Sequence, residues 1–193
     1  MYPDGQGGMY FGTLSQAKPP SLTALYRLAP DGNVKLLREG LKFSNGIGLS
    51  PDGRRLFHNE STLGTFVYDV REDGGLDNRA VFSSKEDCDG LAVDSEGGVW
   101  IAYFASGELI RYRADGSVDR HFPVPHKVVT SVCFGGSDNR DLYVTTAGNE
   151  GLDAYMKGIN PPREASVYHV RVDVAGLPVP RTRFRLRSID ESP

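Results

Sequence analysis

The sequence predicts an all-β chain folded as a β-propeller, with about four to four and a half blades in its 193 residues. Three observations carry this expectation. A strand-and-turn motif recurs about every 43 residues, the usual length of a four-stranded blade. A second motif is interleaved with the first, in the same order each time. Apolar residues alternate with period two, and no segment holds a 3.6-residue apolar stripe, so almost no helix is expected.

The first motif opens with Pro3-Asp4-Gly5, which leads into Met9-Tyr10-Phe11. It returns as Gly46-Ile47-Gly48-Leu49-Ser50-Pro51-Asp52-Gly53 before Arg55-Leu56-Phe57. The next copy is Gly90-Leu91-Ala92-Val93-Asp94-Ser95-Glu96-Gly97 before Val99-Trp100-Ile101. A looser copy, Ser131-Val132-Cys133-Phe134-Gly135-Gly136, precedes Leu142-Tyr143-Val144. The second motif is a strand ending in an acidic glycine turn: Leu25–Leu28 before Asp31-Gly32, Phe66–Val70 before Asp73-Gly74, and Leu109–Tyr112 before Asp115-Gly116. Val167-Tyr168-His169-Val170 is its fourth copy, after a longer insertion. Asp-Gly and Asn-Gly supply the positive φ that tight hairpins require. Radial packing buries both faces of a blade, which accounts for the wholly apolar run Val99–Phe104. Gly46, Gly90 and Ser131 are expected to open the inner strands of neighbouring blades. A β-sandwich with coincidental spacing is the alternative.

Composition narrows the functional classes. The chain carries 39% hydrophobic and 24% charged residues and a net charge of −3, with no basic face of the kind nucleic acid requires. No apolar run approaches a membrane span, and no secretory leader is visible. Two cysteines, Cys88 and Cys133, are too few for a disulfide framework or a thiolate metal site. These features favour the cytoplasm. Cys133, in an alternating strand, is expected in the core. His58, His121, His126 and His169 are scattered without ligand spacing and read as surface or strand residues.

Chemistry concentrates at one slot of the repeat. Asn45 and Asp89 each stand immediately before the glycine of their copy. In a propeller, equivalent slots at one end of the inner strands converge near the axis. Two hard oxygens there suit Ca²⁺ or Mg²⁺. Asn-Gly and Asp-Gly are equally good turn formers, and spacing alone leaves both readings open. Glu86-Asp87-Cys88-Asp89-Gly90 with Glu96 partly matches a helix-flanked calcium loop, but Lys85 holds its first ligand position and its flanks alternate like strands.

The segments Ser44–Gly53, Asp89–Ala102, Thr130–Gly136 and Tyr10–Leu14 resemble, in order, the marks of the gluconolactonase / regucalcin (senescence marker protein) family. The resemblance implies a six-bladed propeller with one divalent metal in its channel, Ca²⁺ first, with Zn²⁺, Mg²⁺ or Mn²⁺ as alternatives. Asn45 and Asp89 match two of the family's three metal ligands. The third, an N-terminal Glu, and the R-x-N-D-G substrate loop belong before the position of Met1. Cys88 stands where the family has proline. The expectation is therefore a single propeller domain over residues 1–193, incomplete at its N-terminus.

The function so implied is metal-dependent hydrolysis of a small-molecule lactone, a sugar lactone or related cyclic ester. Asp89 would be both metal ligand and catalytic proton acceptor, and Asn45 the second ligand. Thr130 and Ser131 are candidates to line the channel, or simply strand-start hydroxyls. Glu60 is a conceivable substitute carboxylate, or a surface residue at a strand end. With its front absent, the chain is expected to form an open arc of weak or no activity by itself. The alternative is a non-catalytic calcium-binding or interaction propeller, or an inactive fragment.

Overall fold

The computed structural model describes residues 1–15, 23–148, 157–159 and 164–184. These contain no α-helix and fold into four antiparallel sheets whose strands follow one another in chain order. The first sheet is β1 (Tyr2–Pro3), β2 (Met9–Gly12), β3 (Ala24–Leu28) and β4 (Val34–Glu39). The second is β5 (Ser44–Leu49), β6 (Arg55–Glu60), β7 (Gly64–Val70) and β8 (Leu76–Ser83). The third is β9 (Cys88–Val93), β10 (Val99–Tyr103), β11 (Glu108–Tyr112) and β12 (Val118–Pro123). The fourth is β13 (Val129–Gly135), β14 (Asp141–Thr146) and β15 (Ser166–Arg171).

The opening strands β1, β5, β9 and β13 pack side by side in that order, as the inner strands of successive propeller blades. Gly46, Gly90 and Ser131 are each the third residue of their inner strand. Glycine is needed at the first two because the strands touch there. A Cβ on Gly46 would lie 2.6 Å from the Leu91 amide nitrogen, and one on Gly90 would lie 2.3 Å from the Ser131 hydroxyl oxygen.

The core consists of three apolar clusters, each lying between neighbouring sheets. Tyr10, Leu25, Leu56 and Tyr68 join the first sheet to the second. Phe57, Leu91, Ile101 and Ile110 join the second to the third. Trp100, Leu109, Val132 and Leu142 join the third to the fourth. Strand β10 shows how a sheet is buried on both faces. Val99, Ile101 and Tyr103 enter the cluster on one side, and Trp100 and Ala102 the cluster on the other. Every residue of that strand is buried, as its unbroken apolar run predicts.

Two expectations need correction. The fourth sheet has three described strands instead of the four of a full blade. After Val172 the described chain leaves that sheet and runs across the others, where Gly176 forms an isolated bridge with Asp94. Pro178 and Pro180 have no N–H to offer a ladder, which disfavours a regular strand there. Finally, Cys133 is exposed and not in the core. Val132 next to it is buried in the third cluster, and period-two alternation turns the cysteine to the opposite side.

Candidate functional site

The inner strands line a groove of about 400 Å³, whose walls include Tyr2, Asn45, Ser131, Cys133 and Leu177. Asn45 and Asp89 are the second residues of β5 and β9 and stand at the same end of it. The Asn45 side chain lies close enough to the Asp89 carboxyl to favour its ionised form. Asn45 Nδ2 donates to Ser61 Oγ at 3.1 Å, which leaves Oδ1 with its lone pairs.

Asp89 is partly buried and makes no salt bridge among the described residues. Burial pushes its carboxyl up to about 6, and the nearby Asn45 side chain works against that rise. The backbone around it is held from several sides. Asn59 Nδ2 donates to the Asp89 carbonyl at 2.7 Å. Asp87, with φ at 61°, accepts the Phe104 amide on its carbonyl and the Ala105 and Ser106 amides on Oδ2. Those bonds, with Glu96 paired to Arg111, leave no helix-flanked calcium loop around residues 86–96.

An asparagine oxygen and a carboxylate with no cationic partner fit a hard divalent cation. The structure gathers no group of three or more His, Cys, Asp or Glu side chains among the described residues. The pair could therefore supply part of a coordination shell and not all of it.

Other candidates separate from this pair. Ser131 lines the groove, and its hydroxyl lies against Gly90. Thr130 does not line it and shares a 2.8 Å hydrogen bond with Thr145. Glu60 is neither a substitute ligand nor a surface residue. It is 2% exposed, with Oε1 taken by Arg79 at 2.7 Å and Oε2 by the Lys42 amide at 3.2 Å. His58 is a strand residue, as expected, but wholly buried, with Nε2 2.8 Å from Ser44 Oγ. Cys88 is buried too, and burial pushes its thiol up to about 12, so it is no nucleophile at neutral pH. Ser61, Asn59 and Thr65 were not singled out from sequence. Their roles depend on contacts across strands and sheets, which the repeat does not encode.

Residues 1–148 match the SMP-30/Gluconolactonase/LRE-like region. Pentonolactonase XacC of Haloferax volcanii is 36% identical over 194 residues, covering 95% of this chain and 65% of its own length. Regucalcin of Danio rerio is 32% identical over 184 residues, with 91% and 62% covered. The solved structure of a calcium-binding protein, regucalcin, from Agrobacterium tumefaciens superposes with a TM-score of 0.78 at 26% identity, over 96% of this chain and 63% of that one. The chain thus spans less than two thirds of the length of these relatives. The repeat, the four consecutive blades and these matches agree: the chain belongs to the SMP-30/gluconolactonase/LRE-like family.

Proposed function

We propose that this chain carries the reactive groove of a metal-dependent lactone hydrolase, acting on a sugar lactone or related cyclic ester. The observation that supports this most directly is the Asn45–Asp89 pair, a carboxyl raised by burial and left without a cationic partner at the end of a groove. A lactonase name on the Haloferax volcanii relative points the same way.

The chemistry follows from the two side chains. A divalent cation held by Asn45 Oδ1 and the Asp89 carboxylate would supply Lewis-acid polarisation of the lactone carbonyl and a bound water of lowered pKa. In the metal-free chain burial raises the Asp89 carboxyl to about 6; a bound cation would lower it again and keep the group ionised, free to accept a proton through its second oxygen. Asp89 takes a proton from the water that adds to the carbonyl carbon. The same proton passes to the ring oxygen as the carbon–oxygen bond breaks, and the product is the open hydroxy acid. Asn45 keeps the carboxyl oriented throughout, itself fixed by Ser61. Ser131, on the groove wall, is placed to donate a hydrogen bond to a substrate hydroxyl.

The test is hydrolysis of a gluconolactone and a pentonolactone by the 193-residue chain beside a chain extended upstream to the length of its relatives, with Ca²⁺, Mg²⁺, Mn²⁺ or Zn²⁺ added and with chelator. The short chain should turn over weakly or not at all; turnover by the longer one should depend on the metal, and Asp89→Ala should lower it by at least about 100-fold while the circular dichroism spectrum is unchanged. Retained turnover in that variant would remove Asp89 from the mechanism. A second reading, a calcium-binding propeller without catalysis, is favoured by the calcium-binding description of the Agrobacterium tumefaciens relative. Ca²⁺ binding that Asp89→Ala abolishes, with no lactone opened under any metal, would select it.

A further inference from the structure

We infer that Asn59 and Thr65, outside the groove, are positioning residues that hold Asp89 in place for cation binding. The inference rests on the reading of Asn45 and Asp89 as cation ligands, and adds to it the residues that set their geometry.

Asn59 is in β6 and Thr65 in β7, directly opposite each other in the ladder. Both side chains are 0% exposed. Thr65 Oγ1 donates to Asn59 Oδ1 at 2.7 Å, and this fixes which way the amide faces. The other end of the amide, Nδ2, then donates to the backbone carbonyl of Asp89 at 2.7 Å, thirty residues away and in the next blade. The pair thus holds the start of β9 from the neighbouring blade. Neither side chain lines the groove.

An amide and a hydroxyl wholly inside the protein are costly unless satisfied, and apolar side chains would fill the same space. Here their bonds run in series to one backbone carbonyl, that of Asp89, the residue that bears the carboxyl. Asp87 clamps the start of β9 from the other side through Ser61, Phe104, Ala105 and Ser106. Ser61 is also the residue that fixes Asn45. The carboxyl and amide oxygens are therefore set against each other by bonds made before any ligand arrives. Loss of such supporting contacts typically weakens a metal site by 10–100-fold.

The experiment measures binding of Ca²⁺ alone to the 193-residue chain by isothermal titration calorimetry, beside the melting temperature. Thr65→Val keeps the shape and removes the hydroxyl; it should weaken Ca²⁺ binding by about tenfold or more. Thr65→Ser should restore it to within about twofold, because the hydroxyl returns. Asn59→Leu should match or exceed the Thr65→Val loss; if it fails to fold, the two threonine variants carry the test. A control, Val144→Ala in the fourth sheet, lowers stability without touching the site and should bind as wild type does. Wild-type affinity in folded Thr65→Val, or a Thr65→Ser variant as weak as Thr65→Val, would overturn the inference and leave the Asn45–Asp89 reading standing. No Ca²⁺ binding by the wild-type chain would sink that reading, and the inference with it.

Discussion

At the scale of single residues, burial decides which titrating groups matter. His58 is wholly buried in the second sheet, and burial pulls its imidazole down to about 4. Glu60 opposes that shift, whereas Arg79, the chain's amino terminus and Arg38 reinforce it. Nδ1 is buried without a hydrogen-bond partner, which is tolerable only for the neutral ring. The sign for stability follows directly. Between pH 6.5 and about 4 the unfolded chain takes up a proton that the folded chain refuses, so stability falls as pH is lowered through that window. At pH 5 the loss relative to pH 7.5 should be about 2 kcal/mol from this residue. Urea unfolding at the two pH values measures it. In His58→Leu the difference should shrink by about that amount, whatever the variant's absolute stability. An unchanged difference would show that His58 does not control the acid limb. None of this was visible in sequence, where His58 reads as one strand residue among others. Its burial follows from a sheet covered on both faces. Cys133 shows the same limit in reverse: its strand was legible, but not which side of that strand faces the next blade.

Among elements, the legible features are those written in the repeat. Asn45 and Asp89 could be singled out because the glycines after them mark equivalent positions in β5 and β9. The structure shows why those positions must be glycine: a Cβ on Gly46 would lie 2.7 Å from the Asp89 carbonyl oxygen as well as against the Leu91 nitrogen. The neighbours are backbone and cannot swing aside. Gly46→Ala should therefore force β9 away from β5 and cost about 1–3 kcal/mol in urea unfolding. It should also part the Asn45 and Asp89 side chains, so Ca²⁺ binding should fall with stability. A variant as stable as wild type would mean that the inner strands separate at little cost. A second repeated position makes the contrast. Asp94 follows β9 and is 0% exposed, accepting hydrogen bonds from the Glu96 and Gly98 amides, Trp100 Nε1 and Arg111 Nε. The turn was legible from Asp94 to Gly97. The reach of its carboxylate to Trp100 and Arg111 was not, because those partners are fixed by the folded sheet.

For the whole molecule, the described blades are joined in series, each burying its faces against the next. In such an array, cooperativity rests on contacts between neighbours. The segment after β15 adds connections of longer range. Val174 is buried in the cluster between the third and fourth sheets. Beyond it, Gly176 N donates to the Asn139 carbonyl at 2.7 Å, Ser95 N to the Ala175 carbonyl at 2.8 Å and Leu177 N to the Val93 carbonyl at 3.3 Å. Further on, Arg183 N donates to the Gly7 carbonyl at 2.6 Å, so one stretch of chain touches the fourth, third and first sheets. Leu177 and Pro178 lie beside Leu49 and Ser50, at the end of β5 away from Asn45. The strap therefore ties the blades at the end of the groove opposite the candidate site. At about 1 kcal/mol for each hydrogen bond, removing it should cost roughly 3–4 kcal/mol. In a chain of this length that lowers the melting temperature by about 6–15 °C. A variant ending at Val172 should show that drop by calorimetry, with a broader transition as the first sheet loses its tie to the third and fourth. Gly176→Ala offers a milder form, since its Cβ would fall 2.1 Å from Phe134 Cγ and displace the strap without deleting it. Ca²⁺ affinity, if set by the proposed pair at the other end of the inner strands, should change less in Gly176→Ala than stability does. A shortened chain that melts as sharply and as high as wild type would show that contacts between adjacent blades suffice, and that the strap only rests on them.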